Sequence, residues 1–97
     1  MTLNQYAHMC YQIALSHGWW DKPRNPLEVC ALIMTELAEV VEAARKGEEE
    51  NMREELADVL IRVFDYCAAL NMDLDKVVSD KMEKNRTRPY RHGNKLY

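Results

Sequence analysis

The sequence predicts an all-α fold, four helices in a bundle that oligomerises through apolar helix faces. Three observations lead there. Apolar residues recur at helical spacing, start and stop residues bracket four segments, and only three Gly and three Pro leave little material for the tight turns of a β-sandwich. A chain of 97 residues is expected to form one domain over residues 1–97, with a basic irregular tail from about residue 86. So short a chain buries a small share of its surface, and its core is marginal alone. A homodimer or homotetramer is therefore expected.

The first helix is read from about Leu3 to about His17, where Leu3, Tyr6, Cys10, Ile13, Ala14 and His17 recur at helical spacing and Gly18 ends the run. A loop carrying Trp19 and Trp20 follows. The second helix has Asn25 as N-cap, Pro26 at the first position and Glu28 three residues after the cap. It should run to Lys46, with Gly47 as the residue beyond its C-terminus. The third is expected from near Asn51 to near Leu70, with Asn71 as a left-handed stop, and the fourth from about Asp73 to about Asn85. Pro89 and Gly93 mark the tail. Short connections favour antiparallel neighbours.

Hydrophobic residues at 47% and charged ones at 30% describe a globular chain, not a disordered one. A net charge of −3 argues against binding a nucleic acid polymer. The charge is uneven: six Lys or Arg and one His lie between Lys81 and Lys95 against the single acid Glu83, while acids crowd the middle of the chain. That asymmetry suits a site holding a cation in one place and an anionic substrate in another. Cys10, Cys30 and Cys67 form no CxxC pair and are read as buried thiols in a reducing cytoplasm. No signal peptide is read at the N-terminus, and no apolar run approaches the ~20 residues of a membrane span.

Angular bookkeeping at about 100° per residue locates the acids. With Glu36 at zero, Leu32 and Ala43 fall at about −40° and −20°, while Val29, Val40, Ile33, Leu37, Cys30, Val41 and Met34 spread between about 20° and 160°. Glu36 thus lies inside the apolar arc and Glu39 at its edge. On the third helix Glu54, Glu55, Arg62 and Asp65 fall within about ±60° of Asp58, and nearly every other direction is apolar. That helix should be central. Glu36-x-x-Glu39 and Glu55-x-x-Asp58 are two acid pairs, each on one helix face. Each pair alone is commonplace on a solvated surface. Two on consecutive, antiparallel helices can gather four carboxylates, and oxygen-only ligands point to Mg²⁺ or its substitute Mn²⁺.

These motifs resemble the MazG-like, all-α NTP pyrophosphatase superfamily, whose hallmark is ExxE followed at a distance by ExxD. Here the two stand fifteen residues apart, within the runs TELAEVVEAARKG at 35–47 and EELADVLIRVFDYCAALNMDL at 54–74, followed by Lys81, Asn85 and Arg86 as a late K…N..R pattern. The similarity covers roughly residues 19–93. It implies hydrolysis of a nucleoside triphosphate to monophosphate and pyrophosphate, with Glu36, Glu39, Glu55 and Asp58 on Mg²⁺ and Glu39 as general base. Lys81, Asn85 and Arg86 would contact phosphates. Trp20 would stack on the base. Thr35 stands where many relatives have a further acid, and Ile61-Arg62 replaces the aromatic–His pair of the phosphoribosyl-ATP branch.

Other residues carry plainer expectations. Arg62 should form an ion pair with the acid cluster, Asp65 could be an outer-shell ligand, and His17 should be a hydrogen-bonded core histidine. The rival to an enzyme is a non-catalytic helical oligomeric interaction module that keeps the fold.

Overall fold

The computed structural model describes residues 1–97, apart from the side chain of His92. Four helices and one extra turn are present, with no strand among the described residues: α1 (Leu3–Ser16), α2 (Pro26–Arg45), α3 (Glu49–Ala69), α4 (Leu74–Arg86) and the single turn α5 (Arg91–Asn94). The fold is the all-α arrangement that the periodicity predicts.

Local chemistry sets the ends. Thr2 and Gln5 form a capping box at α1, the Thr2 hydroxyl accepting from the Gln5 amide at 3.0 Å and the Gln5 side chain from the Thr2 amide at 2.7 Å. Asn25 caps α2 by accepting from the Leu27 amide at 2.8 Å, ahead of Pro26. Gly47 leaves α2 with φ +72°, the left-handed turn that glycine adopts without strain. The third helix starts at Glu49, two residues before the expected position near Asn51. Glu49 and Glu50 in its first turn complement the partial positive charge there. Asn71 does take the left-handed conformation, φ +56°. The tail differs from expectation by one turn, closed by the Asn94 and Lys95 amides donating to the Tyr90 and Arg91 carbonyls at 3.0 and 2.9 Å.

The third helix is central. It packs against α1 on one side and α2 on the other, while α4 packs against α1. Ala7, Cys67 and Leu74 form a buried cluster wrapped by half-buried Val63, Phe64, Met72 and Val78, and the Tyr6 and Phe64 rings stack at 6.1 Å. A reciprocal clasp ties the roots of α1 and α4. The Asp75 carboxylate accepts from the Leu3 and Asn4 amides at 3.0 and 3.3 Å, and the Asn4 side-chain oxygen accepts from the Leu74 amide at 2.6 Å. Asn4 also donates to Asp73 at 2.9 Å, which holds that carboxyl below its ordinary range.

The core is thin. Seven apolar residues are buried among those described, and three of them are alanines. The radius of gyration is 15.7 Å, against about 12.5 Å for a compact chain of this length, because every described residue from Ser79 onward is exposed. Cys30, expected to be buried, is exposed, whereas Cys67 is buried and Cys10 half-buried. Cys30 shares its α2 face with Met34, Leu37 and Val41, all exposed. A single chain covers only the other half of the apolar arc, where Val29, Val40 and Ala43 are buried. No helix is long and apolar enough to cross a membrane.

Candidate active site

The turn at residues 46–48 folds α3 back along α2. Glu39 and Glu55 each stand eight residues from Gly47, and Glu36 and Asp58 each stand eleven. At 1.5 Å per residue the members of each pair sit at equal heights, about 12 and 16 Å from the turn. The two acid motifs therefore stand at matching heights as the hairpin closes.

One carboxylate oxygen each from Glu36, Glu39 and Glu55 lie within 4.8 Å of one another. Glu55 shares a hydrogen bond with Glu39, and that bond is the largest cause pushing its carboxyl above the usual range. Partial burial and the negative charges of Glu39, Asp58 and Glu36 add to it. Its Oε2 atom is buried without a hydrogen-bond partner. Crowded carboxylates with one orphaned buried oxygen fit a hard divalent cation, which would supply the missing positive charge. Asp58 is exposed and is not among the three converging residues. It lines the adjoining cavity with Glu36.

Arg62 brings a guanidinium to the acids. Its Nε donates to Glu36 Oε1 at 3.1 Å, with only 17% of the Glu36 side chain exposed. The expected ion pair between Arg62 and the cluster is thus formed, and Glu36 lies on the covered arc of α2. The Arg62 guanidinium also sits 4.6 Å from the centre of the Trp19 ring, and that of Arg24 sits 5.4 Å away. Arg24 further fixes the loop by donating to the Trp19 carbonyl and to Glu28, both at 2.6 Å.

Beside the acids opens a cavity of about 260 Å³. Glu36 and Asp58 line it together with Arg62 and Asp65, and Ile13, Trp19 and Ile61 supply apolar wall. Trp20, the aromatic singled out from the sequence, is not on this lining. Its indole N–H donates to Asp65 Oδ1 at 2.7 Å, and its ring lies tilted against Tyr11. Trp19 is the tryptophan that faces the cavity. His17 is exposed at the cavity's edge and is not a core histidine; it is the residue that closes α1. Asp65 stands outside the converging carboxylates. Burial pushes its carboxyl up, opposed by the Trp20 bond and by Arg62 and Arg24. The Trp20–Asp65 bond joins residues 45 positions apart, and no local spacing announces it.

Lys81, Asn85 and Arg86 are all exposed on α4 and none lines the cavity. Arg86 is paired with Glu83 at 2.6 Å. Within one chain the basic stripe and the acidic cluster are not brought together.

No curated protein and no solved structure matches the chain. The family model described as the MazG nucleotide pyrophosphohydrolase domain matches residues 24–92, a span that contains both acid motifs and α4 but leaves α1, Trp19 and Trp20 outside. Over most of its length, with paired carboxylates converging across a helical hairpin, the chain belongs to the MazG nucleotide pyrophosphohydrolase family.

Proposed function

We propose that the protein, acting as one domain over residues 1–97, hydrolyses nucleoside or deoxynucleoside triphosphates to monophosphate and pyrophosphate in a Mg²⁺-dependent reaction that controls a cytoplasmic nucleotide pool. The observation that carries this reading is the meeting of Glu36, Glu39 and Glu55 within 4.8 Å, in a family of nucleotide pyrophosphohydrolases. Glu36, Glu39, Glu55 and Asp58 would hold the cation, with Mn²⁺ a substitute. When bound, it would neutralise triphosphate charge and lower the pKa of a nearby water. Glu39, the exposed member of the cluster, would serve instead as the base that takes the proton from a water attacking the α-phosphorus. The α–β phosphoanhydride bond breaks and pyrophosphate departs with the bond electrons. Lys81, Asn85 and Arg86 offset charge on the departing group. Trp19, which lines the cavity, packs against the base; Trp20 acts through Asp65.

The phosphate contacts imply a homodimer or homotetramer in which α4 serves a neighbouring copy. The exposed face of Met34, Leu37 and Val41 on α2, with Leu56 and Leu60 on α3, is the surface a second copy would cover. Purified protein with Mg²⁺ or Mn²⁺ should release pyrophosphate from at least one nucleotide in a broad panel. Silence across that panel, with no metal-dependent rise in melting temperature, would overturn the reading and favour a non-catalytic interaction module.

A further inference from the structure

We infer that Asp65, held by Trp20, selects nucleotides whose base carries an exocyclic amino group over those presenting a carbonyl at the same ring position. The inference rests on the nucleotide reading above and adds a substrate class to it.

The cavity has two polar ends on one helix. Asp58 and Asp65, both on its lining, are seven residues apart on α3, a rise of about 10 Å. The Asp58 end adjoins the converging carboxylates, where a triphosphate would be held. The Asp65 end therefore meets the part of the ligand farthest from the phosphates. Between them lie the apolar surfaces of Ile13, Trp19 and Ile61, suited to the faces of a flat ring. At 260 Å³ the space lies slightly below the roughly 300 Å³ where ligand pockets commonly begin. A base at its end would be in close contact with the walls.

Asp65 is placed as a fixed acceptor. Its Oδ1 takes the Trp20 indole N–H at 2.7 Å, so the carboxylate cannot turn away without leaving that donor unpaired. The other oxygen has no hydrogen-bond donor among the described residues. Arg62, the nearest cation on α3, is engaged with Glu36 and the Trp19 ring. A half-buried carboxylate oxygen without a donor gains most from a ligand that brings one.

Base chemistry then decides. Cytosine and adenine present an amino group where uracil and hypoxanthine present a carbonyl oxygen, and a carboxylate accepts from the first and repels the second. An acceptor held in place by Trp20 cannot rotate into a donor, so the discrimination is built into the site. Trp20 is here a positioning residue, since it touches Asp65 and not the cavity.

The test compares matched pairs, CTP with UTP and ATP with ITP, with Mg²⁺. The amino member of each pair should have a kcat/KM higher by about 10- to 100-fold, the factor a charged hydrogen bond provides. Asp65→Asn can present an amide N–H₂ to a carbonyl and should reverse or erase the ratio. Trp20→Phe should narrow it toward unity while the far-ultraviolet helical signal stays unchanged. Calorimetric binding of CMP and UMP to the wild-type protein gives a readout free of catalysis and of variant folding. Pairs within about threefold of each other in both turnover and monophosphate binding would overturn the inference while leaving the pyrophosphohydrolase reading intact. Absence of turnover with every nucleotide would overturn that reading; equal CMP and UMP binding, or none, would then overturn this one as well.

Discussion

The acids of α2 and α3 converge because a three-residue turn folds one helix back on the other, whereas the cations of α4 stay in solvent because that helix is tied to the body only near its root. The contrast is between contacts made by symmetry about a turn and contacts that need another surface. In the hairpin, equal distances from Gly47 bring Glu39 to Glu55 with Glu36 close by, and set Asp58 on the adjoining cavity. On α4 nothing of that kind operates, and Lys81, Asn85 and Arg86 share a helix that stays clear of its own chain's cavity.

The largest expected effect breaks the acidic half. Glu55→Gln should lower pyrophosphate release by on the order of a thousandfold, the loss of several kcal/mol of cation stabilisation, and abolish the Mg²⁺-dependent rise in melting temperature. Glu39→Gln and Asp58→Asn should each do the same to turnover without unfolding the protein. Because Glu55 titrates above its ordinary 4.5, the folded protein holds more protons than the unfolded chain between that value and its raised one. The metal-free wild type should therefore lose melting temperature as pH rises through that window, and Glu55→Gln should flatten the slope.

The basic half is sharpened by mixing. If α4 serves a neighbouring copy, Lys81→Ala and Glu55→Gln protomers, each inactive alone, should regain turnover when co-refolded, since a mixed oligomer contains sites with both defects absent. No recovery, with mixed oligomers demonstrated, would return α4 to its own chain. A smaller effect is expected for Arg62→Met. Losing the half-buried partner of Glu36 should destabilise the metal-free protein by about 2 kcal/mol, and added Mg²⁺ should restore much of the loss, read as melting temperature with and without the ion. The smallest is Asn4→Ala, which removes the acceptor at the start of α4 and should cost about 1 kcal/mol, a fall of roughly 4–8 °C.

Much of this was legible in the sequence, for physical reasons that also mark its limits. Asn25-Pro26, Gly47 and Asn71 are local signals, and the helices begin or end at them. The position of Glu36 inside the apolar arc followed from periodicity, and its side chain is largely covered. Cys30 misled because the same arc is wider than one chain can bury. Trp19 and Trp20 are neighbours with identical chemistry, and only the path of the loop decides that the first lines the cavity and the second holds Asp65. The absence of a basic wall beside the acids had no sequence signal. It depends on the direction α4 takes from its clasp.

That clasp makes α4 a lever. From Leu74 to Arg86 the helix extends about 18 Å, and its fulcrum is a handful of hydrogen bonds among Asn4, Asp73 and Asp75. A tilt of about ten degrees at the fulcrum would carry the far tip roughly 3 Å, many times the half-ångström tolerance of a working site. Side chains at the root of the helix thereby govern the aim of its cationic tip, and a change at Asn4 too mild to threaten the fold can still spoil the grip on phosphate proposed for that tip.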